Sequence, residues 1–262
     1  MPATAKPLAL VTGASGGLGA DFATELARDG HDLVLVARGT AAMDALAARL
    51  EAEFGTASHV IGYDLAQAGA GAALAATVAQ RGLEIDVLIN NAGFGDNERF
   101  AEADPAMLSR MTQLNVVTLT DLTRALLPGM LARRRGKIML LASTAAFQPG
   151  PHMATYCATK AYVLSFGEAL AFELRGTGVT ATTVCPGATK TGFQKAAGID
   201  ETTPLFKSGV MSSASVAKQG YAALKAGTPV VVTGLPNLIG AAMGRYMPHA
   251  VVLPMAAKLL AK

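Results

Sequence analysis

The sequence predicts an α/β fold: a Rossmann-like, doubly wound parallel sheet of about seven strands with helices on both faces. Three observations predict it. Short apolar strands alternate with helical stretches along the whole chain. The first strand, Leu8–Thr12, runs directly into a glycine-rich turn, Gly13-Ala14-Ser15-Gly16-Gly17-Leu18-Gly19, that opens a helix. Hydrophobic residues make up 51% of the chain and charged residues only 16%, which suits strands covered on both faces.

The elements follow in order. The helix after the turn runs to about Arg28 and is closed by Gly30. Residues 33–37 read as the second strand, 41–53 as a helix, 59–62 as a short third strand and 71–80 as a helix. Residues 87–89 are a strong strand. Pro105 opens a long helix reaching Leu131. Strand 138–142, helix 155–174 and strand 179–184 follow, then helix 215–226 and the β-branched strand 230–233. With no internal repeat, linker or low-complexity stretch, residues 1–262 are expected to form a single domain.

The glycine turn sits where a doubly wound fold binds dinucleotides. Gly13, Gly17 and Gly19 are spaced Gly-x-x-x-Gly-x-Gly, and such glycines let backbone approach a pyrophosphate at a helix N-terminus. Ala37-Arg38 follows the second strand with no acid within two residues. An arginine there accommodates a ribose 2′-phosphate, whereas an acid would hold a 2′-hydroxyl. Asp64-Leu65 follows the third strand; the carboxylate either accepts from an adenine amino group or caps the next helix. Asn90-Asn91-Ala92-Gly93 ends the fourth strand and suits amide and backbone contacts to a cofactor, or an Asx-stabilised turn.

Tyr156 and Lys160 are four residues apart, on one face of a helix. An ammonium beside a phenol favours the phenolate, so Lys160 is expected to draw the Tyr156 pKa down, with help from a cationic nicotinamide ring. Ser143, thirteen residues upstream, can reach the same substrate oxygen. Asn115 is an unfavourable helix-interior residue whose amide can disturb the helix locally and hold a water behind Lys160. A proton donor, a tuning cation and an orienting hydroxyl suit proton transfer at an alcohol or carbonyl.

These motifs together resemble the short-chain dehydrogenase/reductase family over about residues 7–195. The turn from Thr12 to Gly19 looks like its cofactor loop. Residues 90–93 look like its fourth-strand motif, and Asn115, Ser143, Tyr156 and Lys160 match its tetrad in order and spacing. Pro186-Gly187 and Thr191 match the segment that holds the nicotinamide carboxamide. The resemblance implies that Tyr156 is the general acid or base and that Lys160 binds the nicotinamide ribose. It implies that Ser143 orients the substrate oxygen and that Asn115 anchors a proton-relay water. It places Gly13, Ser15, Gly17, Leu18, Gly19, Arg38, Asp64, Leu65, Asn91, Ala92 and Gly93 on the cofactor, with NADP(H) preferred over NAD(H). It also implies a homodimer or homotetramer. The alternatives are an NADP-binding sensor without turnover, which has no need of Tyr156 with Lys160, and a sugar-nucleotide epimerase, whose larger C-terminal region is lacking.

The family's substrate loop corresponds to residues 192–212, with Phe193, Ile199, Leu205, Phe206, Val210 and Met211. Together with Phe94, Phe147 and Met153 these suggest an apolar ketone, aldehyde or acyl chain. Residues 234–262 depart from the compact family pattern: two apolar stretches carry Arg245, Lys258 and Lys262 and are broken by Pro248 and Pro254. Packing over the substrate mouth or on a partner subunit is favoured over contact with a membrane surface.

A net charge of +3 with no basic stripe or aromatic platform argues against nucleic acid. The trio Arg133-Arg134-Arg135 is expected to cap a helix C-terminus. Cys157 and Cys185 have neither metal nor disulfide spacing. With no leader-like stretch and no apolar run of spanning length, a cytoplasmic protein without a metal is expected.

Overall fold

The computed structural model describes residues 6–198 and 210–260. Its core is a seven-stranded parallel sheet in the order β3-β2-β1-β4-β5-β6-β9. The strands are β1 (Leu8–Thr12), β2 (Asp32–Ala37), β3 (Ser58–Gly62), β4 (Val87–Asn90), β5 (Gly136–Leu141), β6 (Val179–Cys185) and β9 (Val230–Val232). The order reverses between β1 and β4, and ligands bind at such a crevice in open parallel sheets. β7 (Thr189–Lys190) and β8 (Met211–Ser212) form a separate two-stranded ribbon that no sequence periodicity signals, because each strand has only two residues.

Helices cover both faces. α1 (Gly17–Arg28), α2 (Ala41–Phe54) and α8 (Ser213–Ala226) bury Phe22, Leu26, Met43, Leu50 and Leu224 against one face. α3 (Ala70–Gln80), α5 (Leu119–Arg133) and α6 (Ala154–Glu173) bury Leu74, Leu122, Val163 and Leu170 against the other. Fully burying side chains of this size contributes about 1.5–3 kcal/mol each. Two cores, one on each side of a sheet whose strands are buried throughout, explain the near-continuous apolar strand sequences.

The long helix expected from Pro105 to Leu131 is one continuous rod, but it is not regular. α4 (Pro105–Thr112), capped by Asp104, passes into a π-helical turn at Gln113–Thr118 before α5. Asn115 lies in that turn and is buried. The arginine trio stands at the C-terminus of α5 as expected, with Arg133 in the last turn, Arg134 as the C-cap, and the Arg134 and Arg135 amides donating to the Leu131 and Met130 carbonyls. Arg133 reaches Glu84 at 3.1 Å and donates to the Ile85 carbonyl. Arg135 lies 2.7 Å from the buried Asp86, whose carboxylate also accepts the Leu8 amide. From the helix end the Arg133 and Arg135 side chains also clamp the segment leading into β4, where the carboxylates stand.

After β9 the chain forms α9 (Leu235–Tyr246) and α10 (His249–Leu260). No helix among the described residues is long and apolar enough to cross a membrane.

Candidate active site

Thr12, at the end of β1, organises the glycine turn. Its hydroxyl donates to the Ile89 carbonyl at 3.2 Å and accepts the Asn91 and Ala92 amides, both at 3.0 Å. The Asn91 side-chain amide donates to the Thr12 carbonyl at 2.8 Å and the Gly13 carbonyl at 3.3 Å. Asn90 donates to Thr123 at 2.8 Å. The Asn91 amide therefore holds the turn and the β4 end together, the Asn90 amide ties that strand end to α5, and Asn91, Ala92 and Gly93 all border the cavity.

Gly13 has φ +68°, and a side chain there would crowd Asn91 and Ala92. Gly19 departs from its expected role. It is absent from the cavity wall and lies inside α1, where a Cβ would overlap the Gly13 carbonyl oxygen and meet Asn91 Nδ2 at 2.8 Å. It permits the close approach of helix and turn and touches no ligand space.

Above the turn opens a cavity of about 780 Å³. Gly13, Ser15, Gly17, Leu18, Arg38, Asp64 and Leu65 line one end. Asn91, Ala92, Gly93, Pro186, Gly187 and Thr191 line its middle, and Ser143, Tyr156 and Lys160 its inner end. A backbone-lined trough of this length fits a nicotinamide dinucleotide, and an exposed arginine stands at one end of it. Arg110 was not legible in the sequence: it also faces this end and pairs with Asp64 at 3.1 Å. The other Asp64 oxygen accepts the Ala66 amide at 3.0 Å, so Asp64 does stabilise the turn after β3.

Tyr156 and Lys160 project from the first turns of α6 and both are buried. Lys160 Nζ donates to the Leu141 carbonyl at 2.7 Å and lies 5.8 Å from the centre of the Tyr156 ring. Burial pushes the Lys160 ammonium pKa down to about 8. Burial likewise pushes the Tyr156 hydroxyl well above the ordinary phenol value, against the opposing effect of its hydrogen bond to Ser143. The expected acidification of the phenol by Lys160 is thus not found within the chain alone. A dry site penalises phenolate and ammonium alike, and desolvation is the largest cause of both shifts.

Ser143 Oγ accepts the Ala145 amide at 3.1 Å and lies 3.4 Å from the Pro186 carbonyl, which fixes its place at the start of the 3₁₀ turn Thr144–Phe147. Asn115 does not line the cavity. Its Nδ2 donates to the Phe94 carbonyl at 2.9 Å and to Thr159 at 3.1 Å, and its Oδ1 accepts the Phe94 amide at 3.2 Å. Both amide protons are committed to protein. Asn115 therefore ties the loop after β4 to α6, directly behind Gly93 and Lys160.

The remaining wall is apolar. Phe94, Met153 and Phe193 line it, and the Phe193 ring stands 5.4 Å from that of Tyr156. Phe147 does not: it packs into the core beneath α6. Val210 and Met211 are also off the wall, and Ile199, Asp200, Glu201, Leu205, Phe206 and Lys207 lie outside the described residues. Two further features, Gln194 and Gln148, carry no sequence signal. Buried Gln194 accepts from the Thr191 amide and hydroxyl and donates to the Thr189 carbonyl, which fixes the loop after β6. Gln148 joins the wall. Ala256, Leu259 and Leu260 of α10 close its outer side, as one of the two packing readings anticipates. Among the described residues no group of acidic, histidine or cysteine side chains has a metal-binding arrangement.

The chain matches a family model described as short chain dehydrogenase over residues 7–202. It is 36% identical to a short-chain dehydrogenase from Sphingobium yanoikuyae solved in complex with NADPH, with TM-score 0.81 over 91% of this chain and 94% of that one. It is 30% identical to a bulky-bulky ketone specific alcohol dehydrogenase from Comamonas testosteroni, with TM-score 0.77 over 94% and 100%. Among curated proteins, a very-long-chain 3-oxoacyl-CoA reductase from Laccaria bicolor is 35% identical over 176 residues, 66% of this chain and 52% of that protein. A human protein of the same description is 31% identical over 182 residues, 68% of this chain and 58% of that protein. The chain spans little more than half the length of these curated relatives.

Proposed function

The chain belongs to the short-chain dehydrogenase family, whose members are oxidoreductases of C=O and CH–OH groups, and from that premise we propose an NADPH-dependent reductase of apolar ketones, aldehydes or acyl-type carbonyls. One observation carries the reading. The hydroxyls of Tyr156 and Ser143 face a single cavity that runs from the glycine turn to an apolar wall.

When bound, the nicotinamide supplies the hydride that adds to the carbonyl carbon. Tyr156 delivers the proton to the carbonyl oxygen, and Ser143 donates a hydrogen bond to the same oxygen. Lys160 would hold the nicotinamide ribose hydroxyls through its buried ammonium. Asn115 acts as a positioning residue, because its side-chain amide has no free proton to offer a relay water. Phe94, Met153, Phe193 and Leu260 exclude water and receive the apolar part of the substrate. That wall, with the activity named for the curated relatives, favours a 3-oxoacyl-type carbonyl among these substrates.

Arg38 is exposed at the cavity end and is proposed to hold the 2′-phosphate. NADPH is expected to exceed NADH in kcat/KM by roughly tenfold or more, and Arg38→Ala to erase most of that ratio. An equal or better kcat/KM with NADH rejects the preference. Absorbance assays with a carbonyl panel test the substrate class: bulky ketones and 3-oxoacyl thioesters should turn over faster than small charged keto acids, and the reverse ranking rejects the apolar reading. The same reading makes the protein a cytoplasmic homodimer or homotetramer, which solution mass checks.

A further inference from the structure

The two C-terminal helices carry a surface that the carbonyl chemistry does not use. Of the thirteen exposed large hydrophobic residues among those described, nine lie between Leu235 and Leu259. On α9, Leu235, Leu238, Ile239, Met243 and Tyr246 fall on one side of the helix, in an arc of roughly 140° at 3.6 residues per turn. Tyr246 is 80% exposed. On α10, Val251, Met255 and Leu259 recur at four-residue steps and are likewise exposed, while Leu253 is exposed on the other flank of the seated residues. The inner faces are seated: Ala241, Gly244, Val252 and Ala256 are buried, with Gly244 against Gln148. Packing over the mouth therefore accounts for one side of each helix and leaves the other bare.

Charge selects what covers it. Residues 234–262 contain Arg245, Lys258 and Lys262 and no acidic residue, so they hold the chain's whole formal charge of +3; the rest carries 19 basic and 19 acidic residues. Arg245 lies 3.5 Å from Glu168, whereas Lys258, on the exposed side of α10, has no ion-pair partner among the described residues. A second copy meeting this face symmetrically would set cation against cation, with no carboxylate on either arm. An anionic bilayer offers negative headgroups and an apolar layer beneath them, which matches both features. We propose that α9 and α10 dock this protein on an anionic lipid surface, with the apolar stripe at the boundary of headgroups and acyl chains. Leu259 belongs both to the exposed stripe and to the cavity wall, so the docked cavity opens beside the acyl layer. That consequence rests on the reductase reading; the docking does not, and vesicle binding is measured without turnover.

The test is co-sedimentation of the full chain with phosphatidylcholine vesicles, with and without phosphatidylserine. Wild type should bind the anionic vesicles, and binding should fall roughly tenfold or more on vesicles lacking phosphatidylserine and in the double variant Ile239→Glu/Met255→Glu. Both replaced side chains are exposed and off the cavity wall, so turnover of a water-soluble carbonyl should stay at the wild-type level. Lys258→Gln, a milder exposed change, should weaken anionic-vesicle binding alone and keeps the test decisive should the double variant fold poorly. Wild type that stays in the supernatant with either vesicle overturns the proposal, as does binding unchanged in the variants. Failure to bind together with a dimer that the double variant splits gives the face to a second copy, and equally overturns it.

Discussion

Tyr156→Phe is expected to lower kcat by about 10³-fold, within the 10²–10⁴ that a positioned proton donor contributes. The ring is held by packing that does not involve the hydroxyl: it stands against Phe193 and is buried with Met111 and Met153. Phenylalanine fits the same space, so affinity for NADPH should change little. What disappears is the proton for the carbonyl oxygen and the partner of Ser143. A loss in kcat without a matching loss in cofactor affinity identifies an interaction realised in the transition state. Steady-state absorbance assays at saturating NADPH, with a fluorescence titration of the cofactor, measure the two sides. A variant that keeps most of its activity removes Tyr156 from the proton transfer.

Lys160→Met should separate activity from stability. We expect turnover to fall by at least about 10²-fold, because the ribose loses its cationic anchor. The folded protein should nevertheless become more stable at neutral pH. Burial holds the Lys160 pKa near 8, below its ordinary value of 10.5. The unfolded chain therefore binds the extra proton more readily through this window, so wild-type stability rises with pH between 8 and 10.5 from this group. Below pH 8 the full penalty applies, on the order of 3 kcal/mol. Methionine removes it, but leaves the Leu141 carbonyl without its donor, which costs about 1–3 kcal/mol. The expected net gain at pH 7 is therefore about 1 kcal/mol, and it should shrink and then reverse as pH passes from 8 toward 10. The raised Tyr156 phenol is common to both proteins and cancels in the difference; the Cys185 thiol, which Lys160 holds down in part, is raised further in the variant and destabilises it on the alkaline side, in the same direction. Denaturant melts at pH 7 and pH 9.5 check the sign; a variant less stable at pH 7 than at pH 9.5, each relative to wild type, contradicts it.

The sheet was legible because its strands are buried on both faces and so read as short apolar runs, each set off by glycine or a polar turn. The site was legible where chemistry requires a fixed residue at a fixed interval, as with Tyr156 and Lys160 one helical turn apart. It was less legible where a residue's partners come from distant elements. The Asn91 amide reads as a cofactor contact in one dimension; in three its protons go to the Thr12 and Gly13 carbonyls at the end of the neighbouring strand. Gly19 reads as part of the binding loop, yet its backbone turns into α1. Phe147 and Met153 are both apolar neighbours of the catalytic segment, and only the 3₁₀ turn decides that the first enters the core and the second the cavity. The Tyr156 pKa was misjudged because local spacing reports the neighbouring charge and is blind to burial. Gln194 and Arg110 escaped notice because a lone amide or guanidinium carries no periodicity.

The π turn has a geometric consequence for the rod it interrupts. Met111 and Leu122 are eleven residues apart, and on an unbroken α-helix that interval brings two side chains back to nearly the same azimuth. The wider turn accommodates one surplus residue, which rotates everything beyond it by roughly 100° relative to what came before. Met111 can then point to the cluster around Tyr156 while Leu122 points into the core beneath the sheet. A single helix thus addresses two compartments a quarter-revolution apart; winding the same eleven steps as regular α-helix would bring both residues round to one side, whereas deleting the surplus residue near Asn115 would leave them ten apart and still a quarter-revolution apart.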